Sequence, residues 1–167
     1  MPLSLSPDPP DPTDPNEAQL NLHSLTGPLA PKTLHFSGFV ATKQVLILVD
    51  GGSTHNFIQD TMLAGLGLSP CDTTPLKVMV GNDQYLHCYQ ICTAVPIFIQ
   101  GVEFIIDLHV LPLCGANIVL GVQWLRSLGP ILTAYTTLSM KFMHQGRAIK
   151  FKGKDTSALQ PLSVNQV

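Results

Sequence analysis

Apolar and polar positions change rhythm several times along this chain, and most of the rhythm is that of strands. "TLHFSGFV", from Thr33, alternates loosely, and after the turn "ATKQ" comes the continuous apolar run Val45 to Val49. A run that short and that apolar predicts a strand buried on both faces. "FIQDTMLAGLGL" puts Phe57, Ile58, Met62, Leu63 and Leu66 near helical spacing, with Gly65 and Gly67 at its end, which predicts a short helix. "LKVMVGNDQYLHCYQIC" predicts a hairpin around Gly81-Asn82-Asp83, "VPIFIQGVEFIIDLHVL" a second around Gln100-Gly101, and "LSMKFMHQGRAIKFKG" a third near Gln145-Gly146. "NIVLGVQWLRSLGP" passes from strand through Gly121 into a short helix stopped by Gly129 and Pro130. Strands dominate and do not alternate with long helices, so the pattern predicts an all-β barrel or sandwich.

The two ends read differently. Residues 1–28 are rich in Pro, Asp, Ser and Thr, with Pro2, Pro7, Pro9, Pro10, Pro12 and Pro15 close together, which predicts an extended, disordered leader. The stretch 154–167 is polar and predicts a flexible tail, leaving 29–153 as the folded domain. The 167 residues suffice for one such domain with tails.

Composition narrows the function classes. Apolar residues make up 45% and charged residues 12%, which can build a core and excludes wholesale disorder. The net charge is −2, and the nine Lys and Arg form no basic stripe, which argues against a nucleic-acid partner. No apolar run is long enough to span a bilayer, which argues against a membrane partner. The first residues lack the basic and apolar regions of a signal peptide, so a reducing, cytoplasmic setting is expected. Cys71, Cys88, Cys92 and Cys114 then read as buried thiols rather than disulfides. His87, Cys88 and Cys92 have no second cluster at metal-ligand spacing, so no metal is expected; chemistry in which water is the nucleophile calls for no cofactor either.

The candidate chemistry lies in "VLILVDGGSTHNFI", where the apolar run ends in Asp50 and turns at once on Gly51-Gly52. A carboxylate there sits where desolvation disfavours its charge. Turn glycines expose backbone N–H groups that can hold it, and Ser53 or Thr54 can add a hydroxyl. Two such acids about 3 Å apart share one proton, and the pair can activate water and polarise a carbonyl. Alone, Asp-Gly-Gly reads first as a capped turn after a core strand, with Asp50 accepting local N–H bonds.

Three blocks in order add to that reading. "LVDGGSTHNFI" resembles the catalytic block of the protease region of gypsy-class LTR retrotransposon gag-pol polyproteins, the plant kind in particular. "VGNDQYLHC" is similar to that family's flap, and "IVLGVQWLRSLGPI" to its apolar-apolar-Gly block with a following Trp-Leu. "LSMKF" with its hairpin resembles the closing strands, so the resemblance covers roughly Leu22 to Gly153. It implies an all-β, retropepsin-like closed β-barrel with one or two short helices. It implies an aspartic endopeptidase acting on extended peptide or polyprotein, in the cytoplasm or in virus-like particles. Each chain would supply one catalytic aspartate, Asp50, completed in a homodimer. Gly51, Gly52, Ser53 and Thr54 would support the catalytic loop. Val80, Gly81 and Asn82 would lie on the flap, and Val119, Leu120 and Gly121 would pack beneath the loop. Asp72 in "CDTTP" is the nearest second acid, and no buried strand leads into it, so one motif per chain requires two chains.

The sequence departs from the family pattern at three points. Gly51 stands where relatives carry Ser or Thr, whose hydroxyls brace the paired acids; glycine removes that bond and adds backbone freedom. Asn117 and Ala134 stand where acids are common. Together they predict a loss of polar support, and they raise a second reading: a catalytically impaired or inactive dimeric barrel that binds extended peptides without cutting them. His55 is ordinary for the plant branch and is not read as a general base. Trp124 reads as core. A third class, a nucleic-acid binder of the gag kind, lacks both a zinc knuckle and a basic face.

Overall fold

The computed structural model describes residues 16–20, 33–81, 84–154 and 161–165. β2 (Thr33–Val40) and β3 (Lys43–Asp50) pair along their whole length, turning at Ala41, whose φ is +54°. β2 buries alternate residues, Leu34, Phe36 and Val40 among them. From Val45 onward β3 is almost wholly buried, because it has packing on both faces. Val45, Ile47 and Val49 enter one apolar cluster and Leu48 enters another. That is the two-sided burial the apolar run predicts.

The helix expected over 57–68 is mostly something else. Phe57–Gln59 is a strand, β4, followed by a 3-10 turn (Asp60–Met62) and a single α-helical turn, α1 (Leu63–Leu66), closed by left-handed Gly67. Phe57 and Ile58 are both fully buried, so consecutive residues face apolar surroundings, which a surface helix would not allow. A short apolar run fits helix or strand by periodicity alone.

The three expected hairpins form. β5 (Cys71–Met79) and β6 (Tyr85–Ile99) pair antiparallel, and β6 turns through Gln100-Gly101, both at positive φ, into β7 (Val102–Leu111). A bulge between Cys92 and Val95, with Ala94 at φ +51°, bends β6, so its two halves serve different neighbours. β8 (Leu113–Cys114), β9 (Ile118–Leu120) and α2 (Val122–Ser127) follow. β10 (Ile131–Ala134), β11 (Ser139–His144) and β12 (Arg147–Lys152) form a separate antiparallel sheet, with the last hairpin at Gln145-Gly146. Asn82 and Asp83 lie outside the described residues.

Both predicted tails contain ordered strands. Within the expected leader, β1 (Glu17–Gln19) pairs in parallel with β5. Within the expected tail, β13 (Ser163–Val164) pairs with β8. Leu20 and Leu162 are buried, and these two aliphatic anchors in polar surroundings are what the compositional reading passed over. The four cysteines are free thiols, and only Cys88 and Cys92 are buried, whereas Cys71 is exposed and Cys114 half-buried.

The main sheet runs β1-β5-β6-β2-β3-β9-β4-β7, and a further pairing joins β7 back to β6. One core cluster centres on Phe36, Ile47, Ile97, Trp124 and Phe151, as expected for Trp124. The other gathers Leu20, Leu48, Phe57, Val78, Val80 and Val119. This second cluster lies between the β5–β6 hairpin and the strands that carry the Asp50 loop.

Candidate active site

β3 ends at Asp50, opposite Thr33 of β2, and the chain turns there as expected. The carboxylate is 1% exposed in the single chain. The Gly52 N–H donates to its Oδ1 at 2.8 Å, and the Ser53 hydroxyl donates to Oδ2 at 3.3 Å. The Ser53 N–H closes the turn on the Asp50 carbonyl at 3.1 Å, and Ser53 itself is fully buried. The turn glycine and the hydroxyl anticipated from sequence thus both reach the acid, while Gly51 and Gly52 form the exposed tip of the loop.

The expected packing block lies directly beneath. β9 pairs in parallel with β3, with Leu48 opposite Val119 and Val49 opposite Leu120. Gly121 then presses against the loop: a Cβ there would collide with the carbonyl oxygens of Ser53 and His55. The first N–H groups of α2, which have no partner within the helix, turn to the loop instead. Val122 N–H donates to Ser53 O at 2.7 Å, and Gln123 N–H to Thr54 O at 3.1 Å. Gly121 N–H donates to Asn56 Oδ1 at 2.9 Å. Gly51 is under no such demand. Its backbone is not left-handed, and a Cβ there would first meet Leu125 Cδ1 at 4.0 Å.

Asn117, read from sequence as a lost acid, is a bridge. Its Oδ1 accepts from Leu46 N–H at 2.7 Å, and its Nδ2 donates to Gln59 Oε1 at 2.9 Å. Its backbone also bonds Leu46 O and receives Gln59 N–H. Gln59 passes the support on by donating to Leu113 O at 2.7 Å. A carboxylate at 117 would have no hydrogen to give Gln59. Ala134 closes β10 opposite Ser139.

On the other side of the loop, Thr54 meets β1. Thr54 N–H donates to Gln19 O at 2.9 Å, and Gln19 N–H donates to Thr54 Oγ1 at 2.8 Å. Thr54 Oγ1 also lies 2.8 Å from His55 Nδ1. The His55 ring stands edge-on to His109, 5.6 Å away. Burial, and secondarily His109, lowers the His55 pKa to about 4, so the ring is neutral and its Nδ1 can accept the Thr54 proton. Tyr135 is 45% exposed; burial first, and then the charge of Asp50, raises its phenol pKa. That places the end of β10 close to the acid.

Of the expected flap residues, Val80 is buried, with its N–H on Gln84 O at 2.8 Å, and Gly81 takes φ +87° to make the turn. Asn82 lies outside the described residues. Among the described residues, no group of three or more His, Cys, Asp or Glu could hold a metal ion. Sequence reasoning missed Asn56, Gln19 and Tyr135. Asn56 stood inside the quoted catalytic block, but nothing in spacing could announce that its side chain reaches a backbone N–H 65 residues away.

A model of the retroviral aspartyl protease family matches residues 28–139, which takes in the loop, the β5–β6 hairpin, β9 and α2. Among solved structures, the retroviral protease-like domain of Ddi1 from Leishmania major is similar, with a TM-score of 0.58 and 10% sequence identity. The match covers 77% of this chain and 98% of that one, and at such identity it speaks for the fold alone. No curated protein sequence matches the chain. With more than half its length matched and Asp50 seated at the end of a buried strand, the chain belongs to the retroviral aspartyl protease family.

Proposed function

We propose that this chain is an aspartic endopeptidase of the gypsy-class retrotransposon kind, cutting extended segments of a polyprotein in the cytoplasm. The observation that carries the reading is the Asp50 carboxylate, fixed by the Gly52 N–H and the Ser53 hydroxyl on a loop anchored from below. One such acid per chain calls for two chains. The exposed loop tip supports a two-fold contact there, and so does β10, an edge strand with Leu132 67% exposed. The pairing of β7 with β6 supports reading the main sheet as a closed barrel.

In the paired site one Asp50 takes a proton from water as the water oxygen attacks the scissile carbonyl carbon. The protonated Asp50 of the second copy gives its proton to the carbonyl oxygen. The tetrahedral intermediate then breaks its C–N bond: the amine leaves with the proton first taken from water, and a hydroxyl of the diol returns its proton to the second Asp50. The two acids titrate as a unit.

Gly51 favours a second reading, in which the dimer binds extended peptides but cuts poorly. No hydroxyl stands at 51 to brace the pair, and a site looser by about 1 Å loses roughly a hundredfold in rate. Endoproteolysis of an unfolded protein near pH 5 decides between the two, using the chain as given, Gly51→Ser and Asp50→Asn. Cleavage by the first two and not the third supports a working protease. Cleavage only after Gly51→Ser supports the impaired form. Cleavage that persists in Asp50→Asn rules out Asp50 as the catalytic group.

A further inference from the structure

The segment Asn16–Leu20 is held like a bound peptide. On one side it runs along the free edge of β5, Glu17 opposite Lys77, Ala18 opposite Val78 and Gln19 opposite Met79. Lys77 N–H donates to Asn16 O and Leu20 N–H to Met79 O, both at 2.9 Å. On its other side Gln19 exchanges three hydrogen bonds with Thr54, four residues past Asp50, the longest of them from the Thr54 hydroxyl to Gln19 O at 3.4 Å. The segment is therefore strung between the β5–β6 hairpin and the loop that carries the acid.

Its side chains alternate in the way that edge addition of a strand requires. Ala18 and Leu20 point inward and are buried, Gln19 is exposed and Glu17 half-buried. Leu20, 1% exposed, belongs to the cluster of Leu48, Phe57, Val78, Val80 and Val119, which joins floor and hairpin. Backbone bonds on both edges with apolar pockets at alternate positions are the marks of a groove for an extended peptide.

We propose that the β5 edge and Thr54 form a peptide groove that the chain's own Asn16–Leu20 fills in cis. Leader and external peptide then compete for one site, which takes a small apolar residue and a large aliphatic one two positions apart. This deepens the proposed function and rests on it only for the site's purpose. Twelve residues join Leu20 to Thr33. So short a tether holds the segment at an effective concentration on the order of millimolar. An external peptide binds only the fraction of chains whose groove is open, and its apparent affinity falls by that fraction.

The test is fluorescence anisotropy with a labelled synthetic peptide of residues 14–22, "DPNEAQLNL", on full-length chains carrying Asp50→Asn. That background separates binding from cleavage, so failure of the protease reading leaves this result intact. Leu20→Asp removes the anchor; Gln19→Pro removes the N–H given to Thr54 without touching the core. Each should raise affinity for the peptide roughly tenfold or more over the Asp50→Asn parent, and a peptide with Asp in place of its leucine at position 20 should not bind. Equal affinity in parent and both variants would overturn the proposal. So would a Gln19→Pro chain that keeps its cooperative thermal unfolding yet binds no peptide.

Discussion

The two sides of the Asp50 loop are built in opposite ways. Beneath it, three donors from three residues converge: α2 and Gly121 give backbone N–H groups to the loop and Asn56. Asn117 ties the middle of β3 to Gln59 by side-chain bonds in both directions. Within that floor Ser53, Asn56 and Gly121 are buried. Above it, the contact with the loop is a three-residue strand, three hydrogen bonds at Thr54 and one leucine. A site that must hold an acid still while chain segments enter and leave needs this division. Rigidity belongs under the carboxylate and exchangeable bonds over it.

If the floor is the rigid side, its tightest contact should be the least forgiving. Gly121→Ala forces the loop off α2, and with the carbonyls of Ser53 and His55 displaced, the three N–H bonds weaken together. The expected loss is about 3 kcal/mol or more. Thermal unfolding should then fall by roughly 6–12 °C, with cleavage abolished in any folded remainder. A near-normal melting temperature would mean that the loop yields easily, and the contrast with the roof would collapse.

Asn117→Asp comes next. It introduces the acid that the family resemblance leads one to expect, yet here it sets a carboxylate against Gln59 Oε1. Gln59 can turn its amide to donate, but it then loses its bond to Leu113 O. The expected cost is about 1–2 kcal/mol in chemical denaturation. A stabilised variant would mean that Asn117 is a loss after all, as the sequence alone suggests.

Asn117 also marks how far the sequence could be read. The apolar run Val45 to Val49, the three hairpins and the turn at Asp50 were legible because each rests on local periodicity or local turn chemistry. Partnerships across the chain were not. Asn117 with Leu46 and Gln59, or Asn56 with Gly121, join residues 58 to 71 apart, and no spacing rule encodes them. Phe57 and Ile58 went to a strand because β7 and β9 flank them, a tertiary fact. Glu17–Gln19 was hidden by proline-rich neighbours, since composition averages over the one leucine that docks.

Gly51→Ser separates support from space. The site is open, and its backbone lies outside the left-handed region, so stability should change by no more than about 0.5 kcal/mol. Any gain should appear in cleavage rate and dimer affinity. A large stability change with no gain in either would mean that residue 51 serves the single chain rather than the pair.

The smallest effect is on the roof's latch, and its sign follows from His55. Its folded pKa, about 4, lies below its ordinary 6.5, so between those values the unfolded chain binds a proton that the folded chain refuses. Stability therefore rises with pH across that window: it is complete above about 6.5 and is lost progressively as pH falls toward 4. Burial also lowers the His109 pKa, with Asp107 opposing, which adds in the same direction. Allowing for the partial exposure of His55, the contribution is on the order of 1 kcal/mol. Protonation puts a hydrogen on Nδ1, so the ring must then donate to the Thr54 hydroxyl, whose oxygen also accepts the Gln19 N–H. Acid should thus loosen the roof before it disturbs the floor. Hydrogen exchange at pH 7 and pH 5 should show the Gln19 amide losing protection relative to the Val122 amide, and His55→Gln should abolish that difference. Equal loss at both amides would mean that floor and roof open as one unit, and that the division between them is only geometric.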